Sequence, residues 1–148
     1  MTICYLGLGS NLKAPTRQLH QAFQILRGLP QTSIKKKSKI IYCPASGVRG
    51  QPHYANAVIM ISTKLHPHLL LKKCQSIENK QGRIRKKRWG ARTLDIDVLL
   101  YGHHQINTRK LTVPHPRLTQ RAFMIKPLLT LNQNVKLPNG VFMLDYLT

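Results

Sequence analysis

The sequence predicts an α+β fold, an antiparallel sheet with helices packed on it. Apolar residues make up 42% of the 148 positions and run through the whole chain, which suits one core in a single domain over residues 1–148. Alternating and helical periodicities follow one another in the order strand, helix, strand, strand, helix, strand. No repeat, low-complexity tract or Pro/Gly/Ser linker divides that series.

The first element is an apolar strand over residues 2–8, ended by the flexible turn Gly7-Leu8-Gly9-Ser10-Asn11. Leu19, Ala22, Phe23 and Leu26 then recur at i, i+3, i+4 and i+7, one stripe of a helix that Pro15 opens and Gly28 ends. Residues 33–42 read as an extended, solvated strand bearing Lys35, Lys36, Lys37 and Lys39, and residues 45–52 as a loop. In the strand over 54–61, Tyr54, Asn56, Val58 and Met60 share one face and Ala55, Ala57, Ile59 and Ile61 the other, so both faces are expected to be at least partly covered. Pro67 opens a second helix with the inner stripe Leu70, Cys74 and Ile77 and a cap at Gly82. A cationic loop over 82–93 leads into a strand over 94–101. A hairpin over 105–113, a short helix near 118–122 and a mixed tail complete the chain. The order is the βαββαβ pattern of the ferredoxin-like sandwich, with its helices on one face.

Twenty-four Lys and Arg against four acids give a formal net charge of +20, so the molecule attracts anions such as nucleotides, nucleic acid or acidic surfaces. No apolar run reaches the length of a membrane span, and the N-terminal run Ile3 to Gly9 is too short for a signal-peptide core; a cytoplasmic protein is expected. Cys4, Cys43 and Cys74 are odd in number and far apart, which speaks against a disulfide framework or a zinc site and for reduced, buried thiols.

The four acids are Glu78, Asp95, Asp97 and Asp145. In a strand, i and i+2 point the same way, so Asp95 and Asp97 stand side by side, with Leu94, Ile96, Val98 and Leu100 on the opposite core face. Two carboxylates about 7 Å apart repel by roughly 2–3 kcal/mol at an effective dielectric near 20. A pair at a strand end could simply be solvated. The apolar flanks and the scarcity of other acids point instead to a cation, and oxygen donors at this spacing suit Mg²⁺ with phosphate and water. The preceding loop holds Arg83, Arg85, Lys86, Lys87, Arg88 and Arg92, with Trp89 among them. A charge run alone is a solvated face or a nucleic-acid patch. Arginine forks leading into a Mg²⁺-type carboxylate pair are the parts phosphoryl transfer needs.

Arg88-Trp89-Gly90-x-Arg92-x-x-Asp95-Ile96-Asp97-Val98-Leu99 resembles the signature of the 6-hydroxymethyl-7,8-dihydropterin pyrophosphokinases of folate biosynthesis. The resemblance extends over nearly the whole chain, through Gly9-Ser10-Asn11-Leu12, Gln51-Pro52-x-Tyr54-x-Asn56-Ala57, Gly82-Arg83-x-Arg85, Leu111-Thr112-Val113-Pro114-His115-Pro116-Arg117 and Arg121-x-Phe123. It implies a ferredoxin-like α+β sandwich, in agreement with the element order. It also implies an enzyme in which a pterin hydroxyl attacks the β-phosphorus of MgATP, the β,γ-diphosphate moves as a unit, and AMP leaves. By that resemblance Asp95 and Asp97 hold two Mg²⁺ ions. Arg83, Arg92, His115 and Arg121 are the phosphate-contacting cations, and Arg85 and Trp89 close over the substrates. Tyr54 and Phe123 wall the pterin, Asn56 reads its edge, and Cys43, Pro44 and Ser46 lie beside it. Leu71, Gln75, Glu78, Val98, Lys110 and Thr112, with His115 and Arg121, contact the nucleotide. Ala91 stands where proline is common in that family, Cys43 where threonine is common, and Ser46 where an apolar residue is frequent.

The residues themselves support part of this. Tyr54 and Asn56 share a strand face, so one can wall a flat ring while the other pairs with its edge. Gln75 and Glu78 lie one helical turn apart, on a face that is equally well read as solvated. His115 sits on a backbone stiffened by Pro114 and Pro116. Phe123 alone reads as core. No clear general base is present, which phosphoryl transfer tolerates because it rests on positioning and charge. Two other classes stay open: a basic nucleic-acid-binding module, and a catalytically silent pterin- or nucleotide-binding paralogue. Few aromatics accompany the basic residues, and the carboxylate pair would oppose a phosphate backbone, so no nucleic-acid partner is expected. A monomer without membrane association, taking ATP and a reduced pterin, is the expectation.

Overall fold

The computed structural model describes residues 1–10, 15–43, 54–81 and 94–147 of the chain. Strand β1 (Thr2–Ser10) is buried from Cys4 to Ser10. The reason is its place between β4 (Tyr54–Thr63) and β5 (Asp95–Tyr101), both antiparallel to it. On the far side of β4 runs β2 (Thr32–Lys37), and β3 (Ile41–Cys43) continues along the same strand. The extended segment expected over 33–42 is thus two strands. Between them Ser38 replaces a rung, its N–H donating to Val58 O and its Oγ accepting Val58 N–H at 2.8 Å. With β2 and β3 counted as one, the strand order fourth, first, third, second is that of the βαββαβ sandwich.

Helices α1 (Pro15–Arg27) and α2 (Pro67–Lys80) cover one sheet face. The predicted stripes Leu19, Ala22, Phe23, Leu26 and Leu70, Cys74, Ile77 are all buried there, against Leu6, Leu8, Ala57, Ile59, Ile61, Ile96 and Val98. Burial pushes the thiols of Cys4 and Cys74 up to about 12. Across that core, Tyr101 Oη bonds the Leu65 carbonyl and secures the entry to α2.

The other face is covered too, in keeping with the two covered faces expected of the 54–61 strand, although the βαββαβ pattern places helices on one face only. The chain forms a short hairpin of β6 (Ile106–Asn107) and β7 (Thr112–Val113), then a 3₁₀ turn at Leu118–Gln120, and then α3 (Ala122–Leu131). The short helix expected near 118–122 is therefore a turn that precedes a longer helix. α3 is hard to read in sequence because Pro127 lies inside it and its buried residues are not confined to one stripe: Met124, Ile125, Pro127, Leu128, Leu129 and Leu131 are all buried. All of these but Pro127 form a second core with Tyr5, Val58, Leu99 and Leu100.

The β1–β5 register slips by one residue, pairing Tyr5 with Leu100 and Leu6 with Val98. That β-bulge turns Leu100 away from Ile96 and Val98 and into the second core, against the simple alternation. A similar slip in β2 falls between Ile34 and Lys36. β2 is a sheet edge, and Lys35, Lys36 and Lys37 along it are exposed. Lysines and a bulge on an edge strand block pairing with another chain, which accounts for part of the cationic excess.

Candidate active site

Because Ile96 and Val98 point into the first core, Asp95 and Asp97 point to the opposite sheet face, where α3 packs farther along. Both are half-buried. On β1 the residues directly across are Gly9 and Gly7, and across from Gly9 and Gly7 on β4 stand Asn56 and Val58. Tyr54 and, on β3, Cys43 face each other one step further along. The carboxylate pair and the Tyr54–Asn56 pair therefore flank a trough floored by Gly9, which has no side chain, and closed at the Gly7 end by Leu99 and Met124. A Cβ at Gly9 would lie 2.9 Å from Asn56 Oδ1, and one at Gly7 would lie 3.3 Å from Leu99 and Met124. Asn56 is buried, 6% exposed, and Tyr54 is half-buried. The role of the two glycines was not recognised from sequence. The signal was there: glycine inside a strand marks a close approach, of the second-core side chains Leu99 and Met124 at Gly7 and of a ligand at Gly9.

Glu78 does not share a solvent face with Gln75. It is buried, 4% exposed, and its Oε2 accepts the N–H of Ile96 at 2.8 Å. β5 is an edge strand, so that amide points away from β1 and needs a partner. Glu78 supplies it midway between the two aspartates.

His115 is fixed beside β5 by its N–H to Leu99 O at 3.0 Å. Its Nδ1 accepts the Arg117 N–H at 3.2 Å, which leaves the ring proton on Nε2, 4.0 Å from Asp97 Oδ2. Burial lowers the His115 pKa below its ordinary 6.5, Asp97 raises it, and Arg121 and Arg117 lower it further. Arg121 caps the start of α3, with its guanidinium carbon 5.6 Å from the Phe123 ring centroid. Phe123 is partly buried against the second core, on the same side of the sheet as Tyr54.

A cleft of about 550 Å³ opens between α2 and the β6–β7 hairpin, lined by His68, Leu69, Leu71, Lys72, Gln75 and Lys110. It gathers Leu71, Gln75 and Lys110 of the expected nucleotide contacts and adds His68, Leu69 and Lys72. The spacing 68, 71, 72, 75 is one helix face, readable in sequence had polar residues been counted with apolar ones. Thr112 is exposed on β7, while Val98 is buried in the first core. Arg83, Arg85, Trp89, Arg92, Pro44 and Ser46, and the Gly82 cap, lie outside the described residues, as does the side chain of Cys43.

The half-exposed carboxylates of Asp95 and Asp97 are hard oxygen donors, which fits Mg²⁺. Among the described residues no cluster of three or more His, Cys, Asp or Glu could hold a metal without other donors, so water or phosphate would have to complete the shell.

The 7,8-dihydro-6-hydroxymethylpterin-pyrophosphokinase profile matches residues 5–133. A Haemophilus influenzae protein named 2-amino-4-hydroxy-6-hydroxymethyldihydropteridine pyrophosphokinase is 44% identical over 140 residues, covering 95% of this chain and 88% of that protein. Proteins of the same name from Pseudomonas putida and Bacillus subtilis are 47% and 39% identical, covering 78% and 90% of this chain and 96% and 80% of their own lengths.

Proposed function

This chain belongs to the 7,8-dihydro-6-hydroxymethylpterin-pyrophosphokinase family, and from that premise we propose how its residues divide the reaction. It transfers a pyrophosphoryl group to hydroxymethyldihydropterin in folate biosynthesis, with ATP as co-substrate. The observation that carries the reading is the glycine-floored trough, with Asp95 and Asp97 on one bank and Asn56 and Tyr54 on the other. A flat pterin lies between Tyr54 and Phe123, with Asn56 pairing to its edge. Cys43, Pro44 and Ser46 adjoin it. The nucleotide occupies the cleft of Leu71, Gln75 and Lys110, with Val98 and Thr112 nearby. The triphosphate then runs along β5 towards the carboxylates.

Asp95 and Asp97 would hold Mg²⁺, two ions by the family resemblance; the bound metal would neutralise phosphate charge and align the triphosphate with the pterin hydroxyl. The pterin oxygen forms a bond to the β-phosphorus. The bond from that phosphorus to the α,β-bridging oxygen breaks, and AMP leaves with that oxygen. The hydroxyl proton departs late, to a carboxylate such as Asp97. His115 donates a hydrogen bond from its Nε2–H to a phosphate oxygen and keeps the proton, and Arg121, Arg83 and Arg92 spread over the equatorial oxygens. Arg85 and Trp89 close the site against water. Glu78 acts through Ile96, holding β5 in place.

No helix among the described residues is long and apolar enough to cross a membrane. A cytoplasmic monomer, one pyrophosphokinase domain over residues 1–148, is part of the proposal.

The direct test is AMP formation from MgATP with and without 6-hydroxymethyl-7,8-dihydropterin. Pterin-dependent AMP together with a pterin diphosphate is the expected result. Tight nucleotide binding with no AMP would identify a silent paralogue.

A further inference from the structure

We propose that His68 is a positioning residue of the nucleotide cleft, acting on Lys110 through Thr108. The inference rests on the reading that this cleft takes the nucleotide. His68 lies in the first turn of α2, and its Nε2 is 2.9 Å from Thr108 Oγ1 in the β6–β7 hairpin. The hairpin needs such a tie. Its strands are only two residues each, and it forms a sheet of its own apart from the main one. So small a ribbon is not stable by itself. Leu111 and Val113 anchor its base in the first core, but Thr108, Arg109 and Lys110 at its tip are all exposed.

The tip is organised around Thr108. Its Oγ1 contacts Leu111 N at 3.1 Å and Leu111 O at 3.2 Å, and its N–H donates to Leu111 O at 2.9 Å. These bonds close a loop about Arg109 and Lys110, but all of them lie within the hairpin and none ties its tip to another element. The His68 ring joins that loop to α2, the helix that carries the opposite wall, Leu71 and Gln75. His66 stacks on His68 with ring centroids 5.8 Å apart and an interplanar angle of 24°, which favours the ring orientation that reaches Thr108. Two walls from sequence-distant elements are thereby held at one separation. The ligand class that benefits is a nucleotide gripped between a helix face and Lys110. Ordering the tip beforehand removes a cost that binding would otherwise bear.

The test is binding of the magnesium complex of α,β-methylene-ATP, which cannot be cleaved at the reacting bond, alongside steady-state turnover with MgATP. His68→Ala and Thr108→Val are each expected to raise the analogue Kd and the KM for MgATP about three- to fivefold, with kcat within about twofold of the parent. The double variant should be no weaker than Thr108→Val alone, because that change already removes the link to His68 together with the hydroxyl's contacts to Leu111. His68→Gln, whose amide reaches the same oxygen, should recover most of the affinity. Unchanged Kd in His68→Ala, while Lys110→Ala and Gln75→Ala weaken binding, would overturn the clamp and leave the cleft assignment standing. Unchanged Kd in all of these variants would overturn both. Additive losses in the double variant, or no recovery with glutamine, would also overturn the clamp.

Discussion

The carboxylate of Glu78 accepts the backbone N–H of Ile96 at 2.8 Å, inside the protein and between the two aspartates of β5. An acid on α2 thus fixes the outer edge of the strand that carries the metal-type pair. Glu78→Ala leaves that amide unpaired in the core. The expected loss is about 1–3 kcal/mol, which for a chain of this size lowers Tm by about 2–4 °C per kcal/mol. Mg²⁺ dependence should shift to higher concentration in the same variant, and Glu78→Gln, which keeps an acceptor oxygen, should lose less. Thermal melts and a Mg²⁺ titration of turnover check both; a Glu78→Ala melt matching the parent would refute the role.

Asp97 and Asp145 form an internal control. Asp97→Ala should reduce kcat by at least about a hundredfold, roughly 2.7 kcal/mol of transition-state stabilisation, with an unchanged circular dichroism spectrum. Asp145 is exposed in the 3₁₀ turn Met143–Tyr146, and its replacement by alanine should leave kcat and Tm nearly as they were. Retained turnover in Asp97→Ala would remove it from the reaction.

Gly9→Ala places a methyl 2.9 Å from Asn56 Oδ1, and the buried amide has to swing aside. The expected outcome is a KM for the pterin raised about tenfold, near 1.4 kcal/mol, with a smaller effect on the KM for ATP. Equal effects on both substrates would mean that the trough is not the pterin floor.

His115 should titrate below 6.5 in the ligand-free protein, because burial outweighs the pull of Asp97. Its folded pKa is depressed, so the stability it contributes is full above about 6.5 and is lost as pH falls through the lower folded value. Imidazole ¹⁵N shifts should report a neutral ring protonated at Nε2 at pH 7. A midpoint above 6.5 would reverse the assignment.

With Cys43 replaced by serine, Cys4 and Cys74 should resist alkylation at pH 8, since thiols pushed up to about 12 hold roughly one thiolate in ten thousand. Mass spectrometry of iodoacetamide-treated protein checks this; labelling should follow unfolding, and rapid native labelling would contradict their burial.

The local part of this protein was legible in its residues. Strands β1, β4 and β5 and helices α1 and α2 follow from periodicity, because a period of two or 3.6 needs only neighbouring positions to be read. The same alternation set Asp95 beside Asp97 and Tyr54 beside Asn56. What lay beyond it depends on residues far apart in sequence. The bulge that turns Leu100 is a mismatch between β1 and β5, visible only once their register is known. α3 reads poorly because a helix buried on more than one side loses its stripe, and only the empty sheet face explains where it goes. Glu78 looks like a surface acid until β5 presents an unpaired amide to it. Gly9 becomes a floor only when strands on either side bring the carboxylates and Asn56 to its banks. Sequence determined the elements and the chemistry each carries. Tertiary structure alone decided which side chains meet, because pairing register and burial depend on the whole sheet.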